Sequence, residues 1–358
     1  MITLSSIIQE FSAGFMEQYK KVILPCHRHA LQAMRFCRNE QSPVMQATCD
    51  GCGHSVYVPH SCGHRSCPHC QHHESQQWLE RQLQAQVPAK YYMITFTLPA
   101  QLRSLAWQHQ RQLYGLMFKS LWETLQRFCA NDKQLSGTPG VTAVLHTHSR
   151  ALAYHPHIHV VMPATVVDKN RRQWRTKTGK YLFNHKALAK VFRGKLLDSL
   201  IRDGIQIPAT CPDQWVVDCK AVGAGDKALI YLGRYLYRGV IREKDIIACS
   251  EGKVTYRYQN SKTGKYEYQT VTGEKFLWLV LQHVLPKGFR RARSYGFLHP
   301  NSKRLIKLLH YLLSFDTSRL LRHIKPRARI VCAHCGAAMQ IVATMLASKP
   351  ENACRMLA

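Results

Sequence analysis

The chain has 358 residues, 46% of them hydrophobic, which excludes a globally disordered protein. Its 50 Lys and Arg residues against 21 Asp and Glu residues give a formal net charge of +29, which predicts a polyanionic partner, most commonly nucleic acid. The sequence has no run of about 20 apolar residues to span a bilayer, and MITLSSIIQEFSAGF lacks the basic start and long apolar core of a signal peptide. We therefore expect a cytoplasmic nucleic-acid-binding protein without membrane contact.

The predicted elements mix helices with short strands. In chain order they begin with a helical lead-in to about residue 45, a Cys/His/Gly-rich block (CDGCGHSVYVPHSCGHRSCPHC), a helix over Gln71–Gln86, the strand YYMITFTLP and a helix over about Leu102–Cys129. Then come the neighbouring strands VTAVLHTH and HIHVVMP, a basic hairpin or loop over 168–180, a helix over about His185–Arg202 and the strand QWVVDCKAV. The helix GDKALIYLGRYLYRGVI, the hairpin KVTYRYQNSKTGKYEYQTVTG and a basic helical remainder ending in CAHCG complete the order. This order predicts an α+β fold with a central antiparallel sheet flanked by helices.

Histidines occupy every second position in YHPHIHVVMPA, at His155, His157 and His159. Because side chains alternate across a strand, His157 and His159 point to one face while Ile158 points to the other. A rigid strand thus aims two imidazoles at one point, and imidazole is a common ligand of divalent metals. The alternative interpretation is a pair of half-exposed histidines on an edge strand.

A tyrosine pair follows in YLGRYLYR. Tyr231 and Tyr235 are four residues apart and share one face of the predicted helix, whereas Tyr237 points elsewhere. A tyrosine becomes a nucleophile when its phenol is deprotonated and its target is polarised by a metal. The alternative is an aromatic stripe in the core. In so basic a chain, a metal-binding strand and a tyrosine pair together favour cleavage of a DNA phosphodiester by transesterification.

Several motifs in order give the chain a family resemblance. His157-Ile158-His159 resembles the histidine–hydrophobic–histidine (HUH) motif of single-strand endonucleases. LHTHSRALAYHPHIHVV, YLGRYLYR, HVLPKGFRRARSYGF and the N-terminal SCGHRSCPHCQ together resemble rolling-circle, two-tyrosine transposases of the insertion-sequence ninety-one type, which carry an N-terminal zinc-binding domain. The resemblance covers about residues 20 to 340.

This resemblance implies that His157 and His159 hold a divalent metal, Mg²⁺ or Mn²⁺. Tyr231 and Tyr235 are then the catalytic residues that attack DNA phosphates, leaving a 5′-phosphotyrosine link and a free 3′-hydroxyl. The third metal ligand is open among His155, His146, His148 and a polar residue of the tyrosine helix. One departure from the family pattern is His148, which stands where relatives tend to carry an aromatic residue.

The cysteine block predicts structural zinc. Fourteen cysteines without a secretory signal indicate a reducing compartment, so cysteine clusters favour metal over disulfides. The pairs Cys49-x2-Cys52 and Cys67-x2-Cys70 are 14 residues apart, close to the spacing of a zinc ribbon, and we expect their sulfurs to converge on one ion. Two interleaved ions that also use Cys37, Cys62 or nearby histidines are an alternative. Cys332-x2-Cys335 is either a zinc half-site or simply a turn.

Basic residues dominate the C-terminal part. Between Pro286 and Ile330, Lys and Arg far outnumber the single acidic residue, and aromatic residues interleave with the first half of this charge (Phe289, Tyr295, Phe297). Single-stranded DNA is held this way, with cations on phosphates and rings on bases. We expect a further DNA contact from Arg65 in the zinc block. Phosphate contacts are expected from four basic residues of the C-terminal part: Lys287, Arg290, Arg291 and Arg293.

The sequence therefore predicts three parts: a helical lead-in and zinc-binding domain (1–88), an HUH nuclease domain (89–300) and a basic helical C-terminal extension (301–358). The predicted function is DNA transposition by a bacterial, nucleoid-associated, metal-dependent HUH endonuclease acting on single-stranded DNA at mobile-element ends and on target DNA. One alternative is a plasmid or phage replication initiator or relaxase. Another is a zinc-binding DNA-binding protein without catalysis. The chain has no GxxxxGK[ST] loop, which argues against a large relaxase-helicase.

Overall fold

The structure is a computed structural model that describes residues 2–39, 41–168, 170–179, 181–237, 239–260, 263–322 and 329–345. Its helices are α1 (Leu4–Tyr19), α2 (Pro25–Arg35), α3 (His72–Gln84), α4 (Arg103–Gln108), α5 (Gln110–Asn131), α6 (His185–Arg202), α7 (Asp226–Tyr237), α8 (Gly273–Leu281), α9 (Lys303–Leu312) and α10 (Ser318–Leu321). Its strands are β1 (Val44–Cys49), β2 (Ser55–Pro59), β3 (Tyr91–Thr97), β4 (Thr138–His148), β5 (Tyr154–Pro163), β6 (Thr165–Asp168), β7 (Gln173–Thr176), β8 (Val217–Ala221), β9 (Ile246–Ser250), β10 (Lys253–Gln259), β11 (Tyr266–Thr272), β12 (Ala292–Gly296) and β13 (Met339–Met345). No helix in these ranges has both the length and the apolar composition needed to cross a membrane.

A seven-stranded antiparallel sheet organises the molecule, in the order β7-β6-β4-β5-β3-β8, with β12 paired to β4. The fold is α+β, as the sequence predicts. β4 and β5 are the longest strands, and both are largely buried or half-buried on two faces because helices cover both sides of the sheet. β5 lies between β4 and β3. The histidine strand is therefore internal, and the edge-strand alternative is wrong.

The two faces of the central sheet bury different helices. On one face, α5 and α6 pack over side chains such as Phe96, Ile158 and Val160. On the other face, α3, α7 and α9 pack over Val144 and Val161. The alternation along β5 thus separates its even-numbered residues, under α5 and α6, from its odd-numbered ones, which point to the α7 side.

A second core joins the two ends of the sequence. Helices α1 and α2 pack against α8 and the three-stranded sheet β11-β10-β9 through buried apolar residues from both segments. The Glu243 carboxylate accepts a hydrogen bond from the Leu4 backbone N–H at 2.8 Å, which fixes the start of α1. The domain boundaries predicted at residues 88 and 300 stay a prediction, although the contacts of α1 and α2 with α8 join residues on the two sides of the first boundary.

The third sheet has the strand order β13-β1-β2. Because β13 belongs to the C-terminal extension, the prediction that this extension is helical is wrong for that part. Helices α9 and α10 occupy the first part of the extension, but Met339–Met345 is a strand that pairs antiparallel with β1. The segment contains the β-branched residues Ile341, Val342 and Thr344, which favour strand, and the unpaired edge of β1 offers it hydrogen-bonding partners. The end of the described chain therefore returns to the cysteine block.

Candidate active site

The histidine cluster lies on the α7 side of the central sheet. In the register of β4 and β5, His146 is directly opposite His157, and Val144 is opposite His159. One ligand nitrogen from each of His146, His157 and His159 lies within 4.8 Å of the other two. The sequence allows several candidates for the third position, and the cross-strand register singles out His146.

Hydrogen bonds fix how these rings are oriented. His157 Nδ1 donates to the carbonyl oxygen of His155 at 2.7 Å, which leaves its Nε2 lone pair unused. His159 Nδ1 lies 2.9 Å from the hydroxyl of Thr95 on the neighbouring strand. In contrast, His155 Nδ1 is 2.6 Å from the Arg103 guanidinium, so His155 is engaged elsewhere. Outer hydrogen bonds of this kind orient metal-binding imidazoles.

The cluster is electrostatically neutral. Burial lowers the pKa of His159 to about 3, with a smaller effect from the neighbouring His157. Burial, followed by the neighbouring imidazoles, holds the pKa of His146 well below its ordinary value. Burial also lowers the pKa of His157. At neutral pH the rings are therefore uncharged, which is the state that binds a metal ion.

Helix α7 carries the tyrosine pair over the imidazoles. The Tyr235 ring stacks on His146 with centroids 4.6 Å apart, and the Tyr231 ring meets His159 edge-on at 6.1 Å. The two tyrosine rings are 4.8 Å apart. Burial and the neighbouring Tyr235 raise the pKa of Tyr231, so its phenol is protonated at neutral pH unless a cation stabilises the phenolate. The Tyr237 side chain lies outside the described residues.

The position of α7 depends on the cysteine block. Gly233 lets the Trp78 ring of α3 approach so closely that a Cβ at this position would lie 3.3 Å from it, and Ser75 donates to the Gly233 carbonyl at 3.1 Å. Beyond the helix, a Cβ at Gly239 would lie 2.8 Å from the Ser66 carbonyl oxygen. Gly233 therefore permits close packing of the tyrosine helix on α3, and Gly239 permits close approach of the segment after it to the backbone of the block.

Two known families match separate parts of the chain. The family described as "Transposase zinc-binding domain" matches residues 7–98, and the family described as "Putative transposase" matches residues 140–305. The chain is therefore similar to transposases in both of these parts. The second match contains the histidine strand and the tyrosine helix, whereas the first contains seven of the fourteen cysteines.

Individual relatives agree with this assignment. The chain is 29% identical to "Putative transposase y4qJ" of Sinorhizobium fredii, across 82% of this chain and 79% of the relative. It is 27% identical to "Transposase for insertion sequence element IS801" of Pseudomonas savastanoi pv. phaseolicola, across 74% and 68%. Among solved structures, the conjugative relaxase TrwC in complex with mutant OriT DNA covers 62% of this chain and 74% of its own at 14% identity, with a TM-score of 0.27, which is too low to support an argument.

The cysteines form two groups, so the expected convergence of Cys49, Cys52, Cys67 and Cys70 on one ion is wrong. The β1–β2 hairpin turns at Cys49 and Cys52, and its strands carry that turn away from the loop that holds Cys67 and Cys70. We call the first group the inner thiol cluster, and its sulfurs lie within 4.8 Å of one another: Cys37, Cys62, Cys67 and Cys70. The second group, the outer thiol cluster, has the same spacing: Cys49, Cys52, Cys332 and Cys335. The match to a zinc-binding domain and these clusters together support structural zinc in this chain.

Part of the predicted DNA surface is used inside the protein. The Arg65 guanidinium donates to the carbonyls of Leu285, Pro286 and Phe289 at 2.7–2.9 Å, and its contact with DNA stays a prediction. Arg291 donates to the carbonyls of Leu145 and Leu236 at 3.2 and 3.3 Å. These guanidiniums satisfy backbone acceptors at turns and strand ends, which the sequence does not reveal.

The interleaved aromatic residues are also packed internally. Phe289 and Phe297 are buried in the cores on opposite faces of the sheet, and Tyr295 stacks on Trp122. Arg293 lies over the Phe118 ring at 4.2 Å. The expectation of base stacking is therefore wrong for Phe289 and Phe297, and for Tyr295 it stays a prediction. Lys287 and Arg290 are exposed, and their phosphate contacts stay a prediction.

Replacing Arg65 tests its role as a connector. Arg65→Ala leaves three carbonyl groups without their charged donor, and we expect the free energy of unfolding to fall by about 2–4 kcal/mol. The control Arg127→Ala removes an exposed arginine from α5 and is expected to change stability by less than about 0.5 kcal/mol. Denaturant unfolding measures both, and equal stability of the two variants would contradict the connector role.

Proposed function

We propose that this transposase cleaves and rejoins single-stranded DNA at the ends of a mobile element, in rolling-circle transposition, as an HUH endonuclease. The observation that supports this best is the placement of two tyrosines over three convergent imidazoles: Tyr231 and Tyr235 above His146, His157 and His159. The relatives described as transposases favour this function over a replication initiator. We place the reaction on the bacterial nucleoid.

The imidazole cluster fits a divalent cation. His146 Nε2 is buried and has no hydrogen-bond partner in the described part of the chain, and His157 Nε2 is free to act as a ligand. A bound cation would satisfy both atoms and, when present, supplies Lewis-acid polarisation of the scissile phosphate. Three neutral imidazoles suit Mn²⁺ and its first-row neighbours better than Mg²⁺, which prefers oxygen ligands. Of the two predicted cofactors we therefore favour Mn²⁺.

The tyrosines supply the nucleophiles. A phenolate oxygen of Tyr231 or Tyr235 attacks the phosphorus, a tyrosine O–P bond forms, and the P–O3′ bond breaks. The departing 3′ oxygen takes up a proton and becomes a free hydroxyl, while the 5′ phosphate stays on the tyrosine. The phosphodiester is conserved in this ester, so a later attack by a DNA hydroxyl reverses the step without an external energy source.

A basic cleft leads to the tyrosines. It has a volume of about 420 Å³, and its walls include both nucleophiles as well as Arg150, Arg234 and Tyr266. Two further arginines of the wall share the carboxylate of Asp245, whereas Arg150 and Arg234 have no ion pair in the described part of the chain. Uncompensated cations beside an exposed ring are the arrangement that holds single-stranded DNA. We assign this cleft to the nucleotides next to the scissile phosphate.

Removal of the two uncompensated arginines tests the cleft. For Arg150→Ala/Arg234→Ala we expect weaker binding of single-stranded DNA and a salt-dependence slope reduced by about 1.4, because each phosphate contact contributes about 0.7. The control Arg127→Ala/Lys190→Ala removes two exposed cations from α5 and α6, on the opposite side of the sheet. Fluorescence anisotropy at several salt concentrations measures both, and equal slopes would remove DNA from the cleft.

The aromatic wall has a control on the same strand. Tyr266 and Tyr268 point to the same face of β11. Of these two, Tyr266 lines the cleft and Tyr268 does not. We expect Tyr266→Ala to cost about 1–3 kcal/mol of single-strand affinity through lost base stacking. Tyr268→Ala, which removes an equally large ring that is 63% exposed, should bind almost like the parent. Equal losses in both variants would contradict stacking on Tyr266.

The proposed function is tested directly by a nicking assay. Labelled single-stranded oligonucleotides from both flanking ends of the element are incubated with the full chain and Mn²⁺. The proposal expects cleavage at one phosphate in each end and a free 3′-hydroxyl that a polymerase extends. Binding without cleavage for every end sequence, with either metal, would instead favour a non-catalytic DNA-binding protein.

A further inference from the structure

The outer thiol cluster draws its sulfurs from two distant parts of the chain. Cys52 and Cys332 are 280 residues apart in sequence, and Cys49 and Cys335 are 286 apart, yet the sulfurs of these pairs lie 3.6 and 3.4 Å from each other. A tetrahedral zinc ion with Zn–S distances of about 2.3 Å separates its sulfurs by about 3.8 Å. Disulfide bonds are far shorter, at about 2.05 Å. The observed spacing is therefore close to that of a four-thiolate zinc site.

The two halves of this cluster have the same backbone conformation. Gly53 N–H donates to the Cys49 carbonyl, and Gly336 N–H donates to the Cys332 carbonyl, both at 2.9 Å. The glycine after each Cys-x2-Cys pair has a positive φ, 70° at Gly53 and 74° at Gly336. Each pair thus forms a tight turn that closes on itself and points both thiols to one side, with a glycine where an L side chain would be strained. Two turns of this form, facing each other, supply four corners of a tetrahedron.

Strand pairing holds the two turns together. β13 follows the second turn and pairs with β1, which ends in the first turn, so that Cys49 is opposite Met339. The buried core of this sheet is thin and consists of four residues: Ala47, Cys49, Cys332 and Met339. So few apolar residues cannot stabilise a three-stranded sheet alone, and a metal ion commonly replaces the missing core.

We propose that the outer thiol cluster binds a second structural zinc ion, which fastens the C-terminal segment to the N-terminal cysteine block. The match to the zinc-binding domain ends at residue 98, so it does not account for Cys332 and Cys335. The first ion belongs to the inner thiol cluster. The inference does not depend on the nuclease proposal, since it concerns other residues and is measured as metal content.

The two sites differ in access. In the inner thiol cluster Cys37, Cys67 and Cys70 are buried, whereas in the outer thiol cluster Cys52 and Cys335 are exposed. Chelators and oxidants reach exposed thiolates first. The outer zinc is therefore released before the inner one, and its release frees β13 from β1 while the inner site stays closed.

Elemental mass spectrometry measures the number of zinc ions per protein chain. The experiment uses the full chain with His157→Ala/His159→Ala, so that zinc in the imidazole site is not counted. We expect two zinc ions per chain, and one after Cys332→Ser/Cys335→Ser is added. The control Cys211→Ser/Cys249→Ser changes two partly buried cysteines outside both clusters and should retain two.

Amide hydrogen exchange tells where the lost ion was. In Cys332→Ser/Cys335→Ser the amides of β1 and β13 should exchange faster, whereas those of α2 and α3 beside the inner thiol cluster should keep their protection. A zinc content that stays at two would overturn the proposal. So would one zinc in the starting protein together with two disulfides in the outer thiol cluster, detected by thiol alkylation. A variant that loses both ions and all protection is compared with Cys37→Ser. The proposal is overturned if Cys37→Ser also unprotects β1 and β13, because the clusters would then be one unit.

Discussion

The double variant Tyr231→Phe/Tyr235→Phe is expected to form no covalent complex with DNA. Each change removes one hydroxyl and leaves the ring, so the stacking of Tyr235 on His146 and the packing of Tyr231 beside His159 are kept. Fold and single-strand binding should therefore survive. Incubation with a single-stranded element end and Mn²⁺, followed by denaturing electrophoresis, measures the adduct, and peptide mapping of the parent's adduct identifies the residue.

The single variants separate the roles of the two tyrosines. A chain with one remaining hydroxyl can hold one DNA end, so each single variant should still cleave one oligonucleotide but should fail to join two ends. The control Tyr311→Phe changes a tyrosine on α9 that is 82% exposed, and it should behave like the parent. An adduct that persists in the double variant would assign the nucleophile to another residue.

Local periodicity was sufficient to predict how the site is built. The alternation of His157, Ile158 and His159 places both imidazoles on one face, and the structure has Ile158 buried on the opposite side, under α5 and α6. The four-residue spacing of Tyr231 and Tyr235 likewise places both rings over the imidazoles. Such patterns depend only on the period of a strand or helix, which the sequence carries directly.

Long-range pairing decided what the sequence could not predict. His146 became part of the cluster through its register with His157, and local spacing does not set a register between strands joined by an irregular loop. Cys49 and Cys52 lie beside Cys332 and Cys335, in the turn that precedes β13 near the end of the described chain. Several cysteine pairs of equal spacing allow several combinations, and only the strand pairing selects one.

Charge composition was informative about the partner class but not about individual contacts. An arginine in a basic segment binds either phosphate or a backbone carbonyl, and its neighbours in sequence do not distinguish these. Arg65 and Arg291 bind carbonyls of segments that are distant in sequence. In contrast, Arg150 and Arg234 lie in segments that are not unusually basic, yet they line the cleft beside the tyrosines.

Loss of the imidazoles should abolish cleavage while leaving DNA binding almost unchanged. For His157→Ala/His159→Ala we expect the cleavage rate to fall by roughly a thousandfold or more, because Lewis-acid stabilisation is worth several kcal/mol. Affinity for single-stranded DNA should change by no more than about twofold, since phosphate contacts by cations dominate it. Single-turnover cleavage at saturating protein measures the first quantity, and anisotropy without metal measures the second.

The decisive comparison is between His146→Ala and His155→Ala. Both histidines are close to His157, but only His146 contributes a nitrogen to the cluster, whereas His155 is held by Arg103. If His146 is the third ligand, His146→Ala should raise the Mn²⁺ concentration needed for half-maximal cleavage by at least about tenfold, as the loss of metal-site interactions commonly does. His155→Ala should leave that concentration almost unchanged. The reverse order would move the third ligand along β5 and away from the strand pairing on which the proposed site depends.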